Sequence, residues 1–136
     1  MQDYTKILAW RQACALTVSV REAALAIRAH DAPGLRSQLM RATMAISANI
    51  AEGAGRESRA DFARFITIAI SSASEVEHHL IVCADLSLAD RALLDDLVSR
   101  CVQIRKMLFG FRRTLLQADF AENRNSSSSP DRSPSR

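Results

Sequence analysis

The pair of residues best suited to metal chemistry is Glu75 and His78, which have the spacing Glu-x-x-His. In helical bundles a di-iron site uses two such pairs, together with a glutamate from each of two further helices. The sequence contains no second pair, and the apolar pattern places Glu75 beside the core and His78 on the outer side of its helix. No nucleophile is spaced with a base for covalent catalysis. We therefore predict no metal, no catalytic residues and no enzymatic activity.

A second candidate for ligand chemistry is Gly53-Ala54-Gly55, which precedes a predicted helix and could hold a phosphate at the helix N-terminus. The dinucleotide-binding fingerprint requires a preceding strand and a third glycine, which would fall at Ser58. The sequence lacks both features. We interpret the two glycines as a helix end, where a left-handed conformation is common, and predict no cofactor.

These glycines belong to a compact polar motif that consists of Asn49, Glu52, Gly53, Gly55, Arg56 and Ser58. Buried polar groups need hydrogen-bond partners, so Asn49 and Glu52 could fix the turn between two helices. The same side chains could instead bind a ligand. The structural role is favoured, and it predicts that Glu52→Ala destabilises the fold by about 1 to 3 kcal/mol.

A basic segment gives the best indication of function from the residues alone. Residues 97–117 include no acidic residue and five basic ones: Arg100, Arg105, Lys106, Arg112 and Arg113. Arg105 and Arg112 are seven residues apart, as are Lys106 and Arg113, so each pair shares a helix face. These side chains could bind the phosphates of RNA or DNA, or form a solvated face near a helix C-terminus. Few aromatic residues lie among them, so stacking on single-stranded bases is not predicted.

The elements that must position these candidates are helices, because apolar residues recur at steps of three and four. We predict four helices, over residues 5–29, 35–52, 58–84 and 88–116. Helices of similar length joined by short loops form an antiparallel up-down-up-down four-helix bundle. The predicted fold class is therefore all-α, with the bundle occupying residues 1–119.

The predicted helix boundaries rest on capping residues and breakers. Ser58 with Asp61, and Ser87 with Asp90, have the spacing of N-terminal caps. Residues 120–136 are rich in Ser, Pro and Arg and contain few apolar residues. We predict that they form a disordered tail, because such a segment cannot bury enough apolar surface to fold.

Composition limits the class of protein. A chain of 136 residues with 48% apolar residues can bury a core without disulfides or metals. Cys14, Cys83 and Cys101 fall on apolar helical faces, which is typical of buried thiols in a reducing compartment. No apolar run approaches the ~18 residues that a membrane helix needs, and no signal peptide is recognisable. We expect a cytoplasmic protein that does not contact a membrane.

Apolar residues in excess of one stripe per helix predict self-association. The residues that spread beyond the main apolar face of the first helix are Ile7, Leu8, Cys14, Leu16, Val18 and Leu25. In the third helix the apolar residues Ile66, Ile68, Ile70, Leu80 and Ile81 cannot all point into one seam. A monomer would expose some of these side chains, whereas a closed ring joins two different patches and covers both.

Residues 49–58, Asn-Ile-Ala-Glu-Gly-Ala-Gly-Arg-Glu-Ser, resemble the signature of a bacterial four-helix-bundle family, the 23S rRNA intervening-sequence proteins or S23 family. Further similarities follow in order: Asp3-Tyr4 with Trp10, Gly34-Leu35 with Gln38-Leu39 and Arg41-Ala42, and matching positions within 64–80. The resemblance covers about residues 3–116. It departs from the family pattern at Ser47, where members often carry proline, and at 85–88, where a Gly-Tyr turn is usual.

The resemblance implies a bundle that assembles as a homopentamer. It also implies kinship with the accessory variability determinant of diversity-generating retroelements, a basic pentamer that binds nucleic acid and the element's reverse transcriptase. Two hypotheses follow. The chain is either an oligomeric accessory protein that binds RNA or DNA through the basic residues of its fourth helix, or a protein-interaction scaffold without a nucleic-acid role.

Overall fold

The computed structural model describes residues 2–28 and 30–128. Within these ranges the regular elements are a 3-10 turn at Tyr4–Lys6 and four α-helices. The helices are α1 (Leu8–Leu25), α2 (Leu35–Ala54), α3 (Arg59–Asp85) and α4 (Arg91–Ser127). The predicted all-α fold class is confirmed. None of these helices combines the length and the apolar character needed to cross a bilayer.

Consecutive helices run in opposite directions and pack side by side. At one end of the bundle Arg36, in the first turn of α2, donates a hydrogen bond to the carbonyl of Ile27, just after α1. At the other end Arg59, the first residue of α3, pairs with Glu122 near the end of α4. The helix α1 packs against α2 and α4, and α3 packs against the same two helices. This is the predicted antiparallel up-down-up-down bundle.

The core lies along the bundle axis and receives side chains from all four helices. Its largest fully buried members include Leu16, Val20, Leu39, Ile46, Ile50, Ile66, Leu80, Leu94, Leu97 and Leu108. Each such side chain stabilises the fold by about 1.5 to 3 kcal/mol. Ala69 and Ala73 are also fully buried, and their small size lets α4 approach α3 closely enough for the Cys101 thiol to donate to the Ala73 carbonyl at 2.9 Å.

Local hydrogen bonds determine where the first and third helices begin. The predicted start of α1 at residue 5 is wrong, because the Asp3 carboxylate accepts from the Thr5 amide at 3.0 Å and stabilises the 3-10 turn. Ile7 is then extended, so α1 begins at Leu8. The predicted cap of α3 is confirmed, since the Ser58 hydroxyl accepts from the Asp61 amide at 3.0 Å. The predicted extent of the first helix to residue 29 is also wrong, because α1 ends at Leu25 and residues 26–28 are not helical.

The helix α4 begins and ends later than the sequence predicts. Ser87 has a left-handed backbone with φ 54°, and the Asp90 carboxylate caps the helix by accepting from the Leu93 amide at 3.0 Å. The helix then continues through Ser127, so residues 120–127 are helical and the predicted tail does not begin at 120. Extending an existing helix adds one hydrogen bond per ordered residue and needs no new nucleus. Residues 129–136 of that predicted tail lie outside the described residues.

Candidate nucleic-acid interface

The basic residues of α4 lie on three different sides of the helix. The core-facing side is defined by Leu94, Leu97, Cys101, Ile104, Leu108 and Leu115, which are all buried. Relative to this side, Arg100 flanks α1, Arg105 and Arg112 flank α3, and Lys106 and Arg113 point away from the bundle. The five predicted nucleic-acid-binding residues therefore do not form one continuous stripe.

Arg105 is neutralised by an acidic side chain of α3. Its guanidinium pairs with the Glu77 carboxylate and also donates to the Ser74 hydroxyl at 3.4 Å. Both charged side chains are about three-quarters buried, with 25% of Arg105 and 23% of Glu77 exposed. Removing one partner of such a pair leaves an uncompensated charge, so Arg105 stabilises the contact between α3 and α4. We therefore exclude Arg105 from the candidate interface.

Arg100 is also engaged within the bundle. It donates to the Ser19 hydroxyl of α1 at 2.8 Å and lies 4.0 Å from the Asp96 carboxylate one turn earlier in α4. These contacts hold the guanidinium across the α1–α4 groove. Arg100 consequently contributes to the docking of α1 on α4 and offers less free charge than the sequence alone indicates.

Lys106, Arg112 and Arg113 retain charge that the bundle does not compensate. Lys106 and Arg113 are exposed, and neither contacts a carboxylate within residues 2–28 and 30–128. Arg112 donates to the Thr67 hydroxyl at 3.1 Å and lies 4.9 Å from the centre of the Phe109 ring, and these partners are uncharged. We call these three side chains the basic face of α4. Arginine forks and lysine ammonium groups of this kind bind phosphate oxygens.

The polar motif at the α2–α3 corner is less buried than predicted. The Asn49 amide donates to the Ala45 carbonyl of its own helix at 2.8 Å. Glu52 is 57% exposed and forms a surface ion pair with Arg56 at 3.0 Å. The predicted burial of Glu52 is therefore wrong, and since exposed pairs of this type contribute about 0 to 1 kcal/mol, we expect a smaller cost for Glu52→Ala than the sequence predicted.

Neither glycine of the motif ends α2 in a left-handed conformation, contrary to the prediction. Gly55 has φ −82°, and Gly53 lies inside the helix. A Cβ on Gly53 would lie 2.7 Å from both Phe62 Cδ2 and Phe65 Cβ. Glycine at this position therefore allows α2 and α3 to approach each other, as it does wherever two backbones come close. A left-handed glycine is required instead at Gly34, the N-cap of α2, which has φ 81°.

Arginines complete the corner by covering Phe65. The guanidinium carbons of Arg56 and Arg64 each lie 4.6 Å from the centre of this ring. Both arginines also contact the Asp61 carboxylate, at 3.7 Å and 2.9 Å respectively. Arg56 and Ser58 are thus occupied in holding the start of α3. This arrangement supports the structural interpretation of the motif.

Glu75 and His78, the candidate metal ligands, do not contact each other. Glu75 contacts His79 at 3.3 Å and not His78, which is exposed. His79 is 8% exposed and was not singled out by sequence, although its spacing from Val76 and Cys83 places it near the apolar stripe. Within the described ranges no three His, Cys, Asp or Glu side chains come together in a way that could hold a metal ion.

The buried thiols are poor nucleophiles. Burial, with a smaller effect of the Glu77 charge, raises the pKa of the Cys101 thiol to about 11. Burial also raises the pKa of Cys83. Because the thiolate is the reactive species, both thiols stay protonated and unreactive at neutral pH. The two cysteines act as small core residues.

A surface cavity of about 550 Å³ lies where the end of α4 meets the start of α3. Its charged lining is Arg56, Glu57, Arg59, Asp119 and Glu122, and Arg59 pairs with Glu122. Three carboxylates therefore face two guanidiniums, and the cavity has no excess of positive charge for a phosphate. The basic face of α4 lies elsewhere and has no such compensation.

The fold and this surface define the chain as an all-helical four-helix bundle with unpaired positive charge on its last helix. The family model described as the 23S rRNA-intervening sequence protein matches residues 5–110. The chain belongs to this family, as its motif at 49–58 indicates.

A solved structure shares the fold. It is a protein with unknown function from the S23 ribosomal protein family of Bacteroides thetaiotaomicron, 21% identical to this chain, with a TM-score of 0.69. The match covers 77% of this chain and 98% of that one. Comparison with curated proteins gives no match.

Proposed function

We propose that this protein is a non-enzymatic, homo-oligomeric accessory protein that binds nucleic acid through the basic face of α4. The observation that carries this proposal is the free charge of Lys106, Arg112 and Arg113 on a helix where Arg100 and Arg105 are held by contacts within the bundle. Repetition of this face around an oligomer would turn a weak phosphate contact into a multivalent one.

Self-association is supported by apolar side chains that the single chain leaves in water. Val18 and Leu25 lie seven residues apart on α1, and both are exposed. Ile68 and Ile81 of α3 are exposed as well. The other residues of this prediction are in part wrong, because the bundle core buries Ile7, Leu16, Ile66, Ile70 and Leu80. A homopentamer is the state that the family resemblance implies, and light scattering tests it. A mass near 15.0 kDa would contradict self-association, and a stable dimer would contradict the pentamer.

The binding experiment is a fluorescence anisotropy titration of labelled RNA and DNA at several salt concentrations. Three phosphate contacts per engaged subunit predict a log–log salt slope of roughly −2 to −3. Replacement of Lys106, Arg112 and Arg113 by glutamate should abolish binding and leave the helical content unchanged. Absence of binding by the native protein at low salt would refute the proposal.

A matched control variant distinguishes the effect on binding of where the charges lie from the effect of the net charge. Arg11, Arg21 and Arg41 are exposed on α1 and α2, and replacing all three by glutamate gives the same change in net charge. This control should retain most of the binding. If both triple variants lose binding equally, the contact is a general charge effect and the basic face of α4 is not a specific site.

The second candidate function is a protein-interaction scaffold, which the exposed apolar side chains favour. Kinship with accessory variability determinants would make a reverse transcriptase the natural protein partner. Co-purification with a reverse transcriptase encoded beside this gene would test that partnership independently of nucleic-acid binding.

A further inference from the structure

The outward side of α4 carries a stripe that the core does not use. Lys106, Phe109, Arg113, Leu116 and Phe120 follow one another at steps of three and four, so they share one helix face. We call them the outer stripe. All five are exposed, and the two phenylalanines are 42% and 66% exposed. Packing within the described bundle does not account for such exposed rings, since large apolar side chains are normally buried.

Arginines flank both exposed rings. The guanidinium carbon of Arg112 lies 4.9 Å from the centre of the Phe109 ring, and that of Arg124 lies 5.7 Å from the centre of the Phe120 ring. These are cation–π distances. Each phenylalanine therefore presents an aromatic surface to solvent with a positive charge beside it. A polyanion with exposed π-systems complements both features at once.

We propose that the outer stripe of α4 binds single-stranded nucleic acid, with unpaired bases stacked on Phe109 and Phe120. Arg113, which lies between the two rings, and Lys106, one turn before Phe109, then contact phosphates of the same strand. This inference rests on the proposed nucleic-acid binding and names its substrate class. The sequence predicted no stacking on bases, because a sequence does not distinguish exposed phenylalanines from buried ones. The proposal replaces that prediction.

The spacing of the rings fits a short piece of single strand. Eleven helical residues separate Phe109 from Phe120, which is about 16 Å along the helix axis. At the 3.4 Å spacing of a stacked strand this distance corresponds to roughly five nucleotides, and to fewer in an extended strand. A duplex keeps its base faces stacked inside the helix, so it can use the charges but not the rings.

The charge pattern favours nucleic acid over a protein helix as the occupant. The five residues of the stripe include no carboxylate, although Asp119 directly precedes Phe120 in the sequence. The nearest acidic side chains in sequence have other contacts: Asp119 accepts from the Asn123 amide at 3.3 Å, and Glu122 pairs with Arg59 on α3. The positive charge of the stripe lies at Lys106 and Arg113, and Arg124 adds a positive charge beside Phe120.

The experiment measures anisotropy of a labelled oligodeoxythymidylate and of its duplex with oligodeoxyadenylate, using the full chain. One variant carries Phe109→Leu with Phe120→Leu, which retains apolar surface and removes the π face. A second carries Phe109→Trp with Phe120→Trp, which enlarges the π face. Leu93→Ala, at an exposed apolar residue of α4 outside the stripe, is the matched control. All three positions are exposed, so the fold should be preserved, and circular dichroism checks this.

The leucine variant should bind the single strand about 25-fold more weakly or worse, as expected for two stacked bases. The tryptophan variant should bind at least as tightly as the native chain, and Leu93→Ala should bind much as the native chain does. Duplex affinity should change little. The salt slope of the leucine variant should equal the native slope, because the rings release no counterions.

Three results would overturn the proposal in distinguishable ways. Native affinity for the single strand in the leucine variant would refute stacking. The proposed phosphate contacts would still stand if the glutamate variant of the basic face loses binding. Failure of the native chain to bind either probe would refute the proposed function itself. A change in oligomer mass in the leucine variant would identify the stripe as a contact between protein subunits.

Discussion

Gly53→Ala should destabilise the bundle although it replaces glycine by the best helix former. The new Cβ would lie 2.7 Å from Phe62 Cδ2 and 2.7 Å from Phe65 Cβ. Carbon atoms in protein interiors prefer separations of about 3.5 to 4.0 Å, so the neighbours must move by close to ~1 Å. Phe62 is packed edge-to-face on Phe111 with ring centroids 5.2 Å apart, which limits the movement of its ring.

The magnitude follows from two opposing effects. Overpacking of this kind costs about 1 to 3 kcal/mol. Replacing glycine by alanine in a helix interior gains about 1 kcal/mol. The Phe65 contact involves a Cβ, which is fixed to the α3 backbone, so α3 itself must shift away from α2. The cost then lies in the upper part of its range, and we expect a net loss of about 1 to 2 kcal/mol.

The control is the same substitution at Gly110, which lies in the interior of α4 with nothing within 4 Å of an added Cβ. Gly110→Ala should stabilise the protein by about 0.5 to 1 kcal/mol. Urea unfolding followed by far-ultraviolet circular dichroism measures both free energies. The melting temperatures should move in opposite directions, by roughly 3 to 5 °C per kcal/mol for a chain of this size.

The reasoning would be refuted if Gly53→Ala proved as stable as the native chain or more stable. That result would mean that α2 and α3 can separate without cost and that the close approach at Gly53 does not hold the corner. Loss of stability in Gly110→Ala would instead point to a contact made by α4 outside the single bundle, for example in an oligomer.

Three further predictions concern the caps, the buried thiol and the end of α4. Ser58→Ala should cost about 1 kcal/mol because it removes the N-cap of α3, whereas Glu52→Ala should change stability by less than about 0.5 kcal/mol, and urea unfolding distinguishes the two. Burial raises the pKa of Cys101 from 9.0 to about 11, so the folded state keeps this proton to higher pH than the unfolded chain does. The free energy of unfolding should therefore fall as the pH rises between those values, and the fall should be shallower in Cys101→Ala; equal slopes would contradict this. Deletion of residues 120–136 should lower stability by less than about 1 kcal/mol, since residues 120–128 are all exposed and the Arg59 ion pair is at the surface; a larger loss in thermal unfolding would show that this segment docks.

The fold class could be predicted from the sequence because the spacing of the apolar residues fits helices throughout the bundle region. Steps of three and four through Leu94, Leu97, Cys101, Ile104 and Leu108 predict one buried helix face, and all five are buried. Four such helices with short connections can cover their apolar faces by packing together as an antiparallel bundle. The family motif at 49–58 was likewise readable from sequence alone.

Helix boundaries were less predictable because they depend on single hydrogen bonds. Ser58 and Asp90 both accept from a backbone amide three residues later, yet Ser87 has the same spacing to Asp90 and caps nothing. The end of α4 had no sequence signal, since polar residues of this composition occur both in solvated helices and in loops.

The candidate interface was decided by the tertiary structure. The sequence determined that five basic residues follow one another on the fourth helix without an intervening acid, and periodicity determined which of them share a face. Only the packing of α3 and α1 against α4 brings Glu77 to Arg105 and Ser19 to Arg100, leaving Lys106 and Arg113 free. Partners on other helices are distant in sequence, so the charge that remains available to a nucleic acid is a property of the folded bundle.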